Sequence, residues 1–332
     1  MAHPSTAHRL SLRTMPVLAA VAAAVLSGCV GGGTNTHETP AKPSPTSSPN
    51  GTVTRAEADQ ILDRYQKINN KANETRDASL LATVEAGQLY ARSKASYEQF
   101  STLSAEEKKE FATPFHFTRR AFYIPPTGNW FAATATTDGT NQTFMIFEKS
   151  AHTGGTWKKV FSLFPSKALP TPKTNDGLAI PAAPDTPVGA LAPSRVTDAV
   201  EDLFTSGGTK DGRTLSHANG NTKRILKTYK DRSDALGPQA TVNFFPITPT
   251  HSTIYTLTTS SGVLVIAPLA HKQESLVKNS GLQIIPGKTE AVYNKTPRPL
   301  VVDSFQGETV VHLPHQGKPE ILDYRYTMVD SR

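Results

Sequence analysis

The sequence predicts an α+β fold, with helices packed on curved antiparallel sheets in two modules that follow a signal peptide and a flexible tether. Apolar residues recur at helical spacing behind residue 54, whereas β-branched and aromatic runs separated by short turn signals follow residue 115. Short glycine-containing turns favour antiparallel neighbours, because a parallel crossover needs about a dozen residues. Helices followed by strands recur after a proline-rich stretch, which predicts the two modules.

The N-terminal residues are typical of a lipoprotein signal peptide. Two arginines and no acidic residue precede an apolar run at 15–26. This run is too short for a transmembrane helix, which needs about 20 apolar residues. Residues 26–29 (LSGC) resemble a bacterial lipobox and contain the only cysteine of the chain. The resemblance implies cleavage before Cys29, acylation of its thiol with palmitate-type chains, and an anchor on the extracytoplasmic face of the cell membrane.

Changes in composition give the predicted domain boundaries. The stretch after Cys29 is rich in Gly, Pro, Ser and Thr and nearly lacks large apolar residues, so it is predicted to be disordered. A second proline-rich stretch separates the two modules. The predicted order is a signal peptide at 1–28, a tether at 29–53, an N-terminal α+β domain at 54–165, a linker at 166–193 and a C-terminal α+β domain at 194–332.

Local signals place the individual elements. Thr54 and Glu57 form a capping-box pattern at the start of the first helix. Asp77 is expected to cap a second helix, which Gly87 weakens. Further helix starts are expected at Ser104, Ser194 and Asn221. The predicted strands are 115–124, 130–137, 142–150 and 157–164 in the first half, and 241–247, 254–259, 263–267, 282–285, 300–302, 309–313 and 321–329 in the second.

Composition restricts the expected partners. The formal net charge is +7, but no run of five basic residues occurs and aromatic residues are not interleaved with basic ones, which argues against nucleic acid. The expected partners are the membrane, through lipidated Cys29, and a cell-envelope polymer or a protein. No cofactor, metal site or catalytic residue is predicted.

Two stretches of the first half resemble a known family. Residues 69–73 (NNKAN) are followed by 84–87 (VEAG), and 122–125 (FYIP) by Trp130. These motifs resemble a domain of unknown function found in actinobacterial lipoproteins, whose members also carry a lipobox and a Gly/Pro/Thr-rich tether. The helix-then-sheet plan is similar to the NTF2-like and cystatin-like folds. NTF2-like proteins include both enzymes and binding modules, so the fold alone does not choose a function.

The polar cluster near the end of the first helix is the candidate pocket. Its residues are Tyr65, Asn69, Asn70, Asn73 and Glu85. One interpretation is helix capping and hydrogen bonds into the following turn. The other is the polar rim of a ligand pocket, which combines apolar walls with a few convergent polar groups. The expected function is a ligand-, cell-wall- or partner-binding module, and the alternative is an exported enzyme with an NTF2-like pocket that uses Glu85 as a base.

Three other motifs are weaker. Residues 207–214 differ from a phosphate-binding loop by Arg213 in place of lysine, and they follow a helix instead of a strand. Ser275 and Lys278 have the spacing of penicillin-recognising enzymes but lack the later motifs of those enzymes. His312 and His315 have no third metal ligand at a recognisable spacing. An ordinary loop is the favoured interpretation of the first motif, and exposed histidines at a strand end are the favoured interpretation of the third.

Overall fold

Four layers make up the part of the chain that the computed structural model describes, residues 51–137 and 141–332: helices, a first sheet, a second sheet and further helices. The lipobox, Cys29 and most of the predicted tether lie outside these residues. Thr52, near the end of that tether, donates its hydroxyl to the Trp130 carbonyl over 3.0 Å, and Val53 is buried. No helix in the described ranges has the length and apolar content needed to cross a membrane.

The first layer consists of helices from the N-terminal half. They are α1 (Arg55–Thr75), α2 (Ala78–Leu81), α3 (Gly87–Glu98) and α4 (Ala105–Ala112). The predicted capping box opens α1, since the Glu57 amide donates to Thr54 Oγ1 and the Thr54 amide donates to the Glu57 carboxylate. The helix predicted from Asp77 is only the single turn α2. Gly87 does not weaken that helix but opens α3, which the sequence pattern did not indicate.

The first sheet is an antiparallel meander whose strands follow one another in chain order. They are β1 (Phe117–Tyr123), β2 (Trp130–Thr137), β3 (Asn141–Glu148) and β4 (Lys158–Leu163). Successive residues of a strand point to opposite faces. Accordingly, Phe131 and Ala133 pack on the helical layer, whereas Ala132 packs towards the second sheet.

The second half contributes a larger antiparallel sheet and its own helices. After a small hairpin of β5 (Thr174–Asn175) and β6 (Leu178–Ala179) come α5 (Val196–Thr205), α6 (Gly220–Lys230), β7 (Ala240–Pro246), β8 (Tyr255–Thr258), β9 (Gly262–Val277), α7 (Glu290–Tyr293), β10 (Leu300–Pro314) and β11 (Glu320–Ser331). The sheet order is β11-β10-β9-β7, and β8 pairs with the first part of β9. Two predicted strands, 300–302 and 309–313, are parts of β10, and the predicted strand 282–285 is only a bridge between Ile284 and Arg298.

Alternation along β9 shows how the layers stack. Val265 and Ala267 pack with residues of α5 and α6, whereas Leu264 and Ile266 pack with Phe144 and other residues of the first sheet. Each sheet is therefore covered by helices on one face and by the other sheet on the opposite face. The predicted α+β class is confirmed, and no closed barrel occurs in the described ranges.

The two halves share part of their core. One apolar cluster contains buried residues of β2, β3 and β4 together with residues of β8, β9 and β10. The division at the linker 166–193 remains a prediction, and the described residues belong to one compact unit.

Candidate functional site

Four of the five predicted pocket residues belong to one hydrogen-bonded chain beside α1. Tyr65 donates its hydroxyl to Glu85 Oε1 over 2.8 Å, and Asn69 Nδ2 donates to the same oxygen over 3.2 Å. Asn73 Nδ2 donates to Asn69 Oδ1 over 3.0 Å, and the Tyr97 hydroxyl donates to Asn73 Oδ1 over 2.8 Å. Spacing of four residues places positions 65, 69 and 73 on one face of the helix. These contacts explain why asparagines of low helix propensity are accommodated in α1.

Asn70 is the one predicted pocket residue outside this chain. Its Nδ2 donates to the Phe115 carbonyl over 2.9 Å, and the Phe115 amide donates to Asn70 Oδ1 over 3.2 Å. The side chain therefore satisfies both backbone groups of the residue that leads into β1. This double contact positions the start of the first sheet against α1.

Lys159 completes the cluster, although sequence reasoning missed it. Its ammonium lies 4.0 Å from the centroid of the Tyr65 ring, a cation–π contact, and only 3% of the residue is exposed. The backbones of Lys159 and Glu85 are also paired, because the Ala86 amide donates to the Lys159 carbonyl and the Lys159 amide donates to the Val84 carbonyl. Tyr65 thus contacts the cation through its ring and the carboxylate through its hydroxyl.

A β-bulge explains why a lysine in a strand points inward. Phe147 pairs with Lys159 and Ile146 pairs with Phe161, so β4 has one extra residue at Val160. Lys159 and Phe147 consequently lie on the face of the first sheet that is covered by helices, whereas Phe161 lies on the face that packs against the second sheet. Strand alternation read from the sequence alone would miss this change of face.

Burial controls the ionisation of this cluster. It raises the pKa of Glu85, although the Lys159 ammonium and hydrogen bonds from Ser93 and Tyr65 act in the opposite direction. Burial also lowers the pKa of Lys159 to about 8, against the carboxylates of Glu85 and Glu308, which raise it. Both charged forms are therefore less favourable here than in water.

The electrostatic network continues into the second sheet through Glu308 on β10. Arg92 on α3 donates from Nη1 to Glu308 Oε1, and the Ser162 amide on β4 donates to Oε2 over 3.1 Å. Burial raises the pKa of Glu308, although Arg92 lowers it. Glu308 thus links α3 to both sheets, through its ion pair with the partly buried Arg92 and its hydrogen bond from the Ser162 amide.

A second buried polar group that the sequence did not indicate surrounds Glu148 at the end of β3. Tyr255 donates its hydroxyl to Glu148 Oε2, and His251 Nε2 lies 3.0 Å from both this carboxylate oxygen and the Tyr255 hydroxyl. The exposed ring of His152 stacks on His251 with a centroid distance of 4.4 Å. Gln88 of α3 donates its amide to the His251 carbonyl.

Two cavities among the described residues lie away from Glu85. One, of about 570 Å³, opens beside the start of α1 and is lined by Arg55, Asp59, Arg120 and Phe122. The guanidinium of Arg120 is already paired there with Asp59 at 2.8 Å and with Asp63 at 2.7 Å. The other, of about 200 Å³, lies where residues 168–172 meet both sheets, and it is lined by Tyr123, Thr134, Gln142, Phe144 and Leu264 as well.

The three weaker motifs have structural roles. The Lys210 and Gly212 amides, which a phosphate would need, donate to Asp202 Oδ2 over 2.8 and 3.0 Å. Lys278 donates to the Pro238 carbonyl over 2.7 Å, and His312 Nε2 lies 3.1 Å from Ser261 Oγ. The residues that the structure describes contain no group of three His, Cys, Asp or Glu side chains arranged to hold a metal.

Comparison with known proteins identifies the family. The model of a domain of unknown function, DUF8094, matches residues 49–332, so the chain belongs to this family. An uncharacterized lipoprotein of Streptomyces coelicolor, SCO6871, is 29% identical to the chain over 331 residues, which cover 95% of this chain and 92% of that protein. The resemblance to a lipoprotein domain of unknown function is confirmed. The NTF2-like likeness remains an interpretation.

Proposed function

We propose that the protein is a membrane-anchored extracytoplasmic lipoprotein whose folded body binds a neutral, hydroxyl-bearing component of the cell envelope. The anchoring is supported by the lipobox at 26–29 and by similarity to a protein named as a lipoprotein over most of both chains. Two or more acyl chains on Cys29 would hold the protein stably at the membrane, since one chain gives only marginal binding.

The 200 Å³ cavity carries the binding proposal. None of its lining residues is charged, and its walls combine the apolar surfaces of Phe144, Leu169 and Leu264 with the polar groups of Thr134 and Gln142. Within the described ranges neither of these two polar side chains hydrogen-bonds to another side chain. Apolar walls with a few convergent polar groups are typical of ligand sites. A charged ligand would find no partner there, so a neutral ligand fits best.

The size of the cavity restricts the ligand further. Pockets for drug-sized ligands have volumes of about 300–1,000 Å³, and this cavity, at about 200 Å³, holds no more than a single ring or a short side group. A hydroxyl-bearing ring can donate to the Gln142 carbonyl oxygen and accept from its amide and from Thr134. One sugar unit of a cell-wall glycan meets these requirements.

A blocking substitution with a matched control tests the site. Ala168 lines the cavity, whereas Ser166 is exposed two residues earlier and does not line it. Titration with the uncharged disaccharide of N-acetylglucosamine, followed by calorimetry, should show binding to the wild type and to Ser166→Trp but at least tenfold weaker binding to Ala168→Trp. Equal affinity of both variants, or no binding to the wild type, would contradict the proposal.

A conservative pair tests the polar contacts. Thr134→Val removes a cavity hydroxyl at nearly constant shape, and Thr136→Val makes the same change two residues along β2, outside the lining. A lost hydrogen bond of about 0.5–1.5 kcal/mol corresponds to about two- to twelvefold weaker binding. The loss should occur for Thr134→Val and not for Thr136→Val.

An exported enzyme that uses Glu85 as its base is the second candidate. One observation favours it: burial raises the pKa of Glu85, which suits a base that works near neutral pH. However, only 2% of Glu85 is exposed, and Tyr65 and Asn69 already donate to one of its oxygens. Incubation with peptidoglycan fragments and mass spectrometry separates the candidates, since an enzyme would form a product that Glu85→Gln does not form. A binding module would leave the fragments unchanged, and its Glu85→Gln variant would bind them as tightly as the wild type does.

A further inference from the structure

An exposed apolar patch lies at one end of the second sheet. Leu276 is 48% exposed, Leu300 41%, Leu282 38% and Ile285 80%. Single exposed apolar residues are ordinary on protein surfaces, but a group of four large aliphatic side chains indicates an interaction surface. We call residues 276–300, which contain all four, the distal segment.

The sheet register brings two of these side chains together, and a bridge places the backbone of the other two nearby. Leu276 on β9 and Leu300 on β10 are directly opposite each other, so their side chains share one face. Near the start of β9, Leu264 and Ile266 lie on this same face and pack against the first sheet. At Leu276, near the end of β9, the face is exposed to solvent. Two backbone hydrogen bonds between Ile284 and Arg298 bring Leu282 and Ile285 beside the start of β10.

Basic residues outnumber acidic ones within the distal segment. The distal segment contains four basic residues, Lys278, Lys288, Lys295 and Arg298, and only one acidic residue, Glu290. Lys278, Lys288 and Lys295 are exposed. Aliphatic side chains rimmed by lysines are typical of surfaces that lie on anionic lipid, because the apolar groups enter the boundary of the acyl chains while the ammonium groups meet the headgroups.

We propose that the distal segment docks on anionic headgroups of the membrane that carries the protein. This proposal rests on the proposed anchoring at Cys29. Residue 29 precedes the first described residue, Gly51, by 22 positions, and the Gly/Pro/Ser/Thr-rich composition of this stretch predicts a tether with a root-mean-square reach of about 25 Å. The anchor therefore keeps the body at high effective concentration beside the bilayer, so a small patch suffices for docking. A protein partner would not need an excess of cations, and a second copy would bring like charges together.

The single cysteine of the chain makes a direct test available. The full-length chain, isolated with its lipid, is given one new cysteine at Ile285→Cys or, as a control, at the exposed Thr186→Cys in the linker. Each is labelled with a fluorophore and reconstituted in phosphatidylcholine vesicles with or without phosphatidylglycerol, and lipids with brominated acyl chains serve as quenchers. Strong quenching at 285, dependent on phosphatidylglycerol, with little at 186, is the expected result.

Replacing lysines of the distal segment tests how much their charge contributes to docking. Each lysine near an anionic surface contributes about 1 kcal/mol, so Lys288→Gln with Lys295→Gln should lower the ratio of docked to undocked protein by about 30-fold. The proposal would be overturned by equal quenching at 285 and 186, or by quenching that does not depend on phosphatidylglycerol. Crosslinking of position 285 to a second copy would also overturn it.

Anchoring and docking can fail separately in this design. Intact mass spectrometry reports the lipid on Cys29 without reference to the patch. If Cys29 proves unmodified, the anchoring proposal fails, and cosedimentation of the same chain with phosphatidylglycerol vesicles then decides whether the distal segment binds them. If Cys29 is lipidated and position 285 stays unquenched, the docking proposal alone is wrong.

Discussion

Replacement of Lys159 by methionine tests the electrostatics of the interior most directly. The ammonium of Lys159 is the cation that acts on Glu85, and both residues are almost completely buried. Methionine keeps the length and apolar character of the side chain but removes the charge. The carboxylate of Glu85 then remains buried without its nearest compensating charge, while Arg92 continues to pair with Glu308.

The magnitude of the effect depends on pH. Leaving a buried charge uncompensated costs about 3–5 kcal/mol, but Glu85 can avoid this cost by taking up a proton, and a tenfold change in proton affinity corresponds to about 1.4 kcal/mol. The folded-state pKa of Glu85 is already raised and rises further without Lys159, so ionised Glu85 destabilises the fold more as pH increases. The wild type also gains stability from Lys159 between about pH 8 and its unfolded pKa of 10.5, because its folded pKa is lowered to about 8. Both effects make the substitution more costly at high pH.

Urea unfolding followed by tryptophan fluorescence provides the assay, since Trp130 and Trp157 both belong to the first half. We expect Lys159→Met to cost about 3 kcal/mol at pH 8 and about 1 kcal/mol at pH 5. Adding Glu85→Gln should restore most of the loss at pH 8, because glutamine can still accept the hydrogen bonds of Tyr65 and Asn69. A cost that is equal at the two pH values, or a double variant whose losses simply add, would refute this reasoning.

Three further predictions concern other parts of the fold. Glu148→Gln should be less stable than the wild type at neutral pH, and this difference should shrink as pH falls below 4.5. Burial raises the pKa of Glu148, but hydrogen bonds from His251 and Tyr255 outweigh this and lower it to about 2. The ionised carboxylate therefore stabilises the fold above the unfolded pKa of 4.5, and this stabilisation disappears as pH falls towards 2. Gly87→Ala should reduce the urea midpoint much more than Gly154→Ala, since both residues have positive φ but only at Gly87 would a Cβ lie 2.8 Å from His251 Cβ. Thr54→Ala should cost about 1 kcal/mol through loss of the α1 cap, with Thr54→Ser close to wild type in the same unfolding assay.

Local sequence signals predicted the first half of the fold well. The capping box predicted at Thr54 and the helix start predicted at Ser104 occur in the structure, and the strand predicted at 130–137 coincides with β2. These features depend on contacts within a few residues, which a sequence shows directly. α3 escaped prediction because its helix has no side-chain cap and begins at a glycine held by tertiary contact with His251.

The candidate site was predictable only in part. Tyr65, Asn69 and Asn73 recur every four residues on one helix, so their common face could be inferred, and Glu85 joins them through the turn after α2. Lys159 could not be inferred, because the bulge at Val160 alone turns it inward. Arg92 and Glu308 meet across 216 positions of the chain, a distance at which no sequence spacing is informative.

The near-continuous apolar runs of the central strands carry a signal about function as well as fold. Residues 144–147 of β3 and 263–267 of β9 are all buried, as expected for strands covered on both faces instead of one. A sheet covered by helices on one face only leaves its other face open for a ligand, as the NTF2-like interpretation of this chain assumed. Here the second sheet fills that side, and the interior polar groups bond mainly to one another. Ligand binding is therefore expected where the linker residues 168–172 cross the two sheets, and the Ala168→Trp comparison examines that place directly.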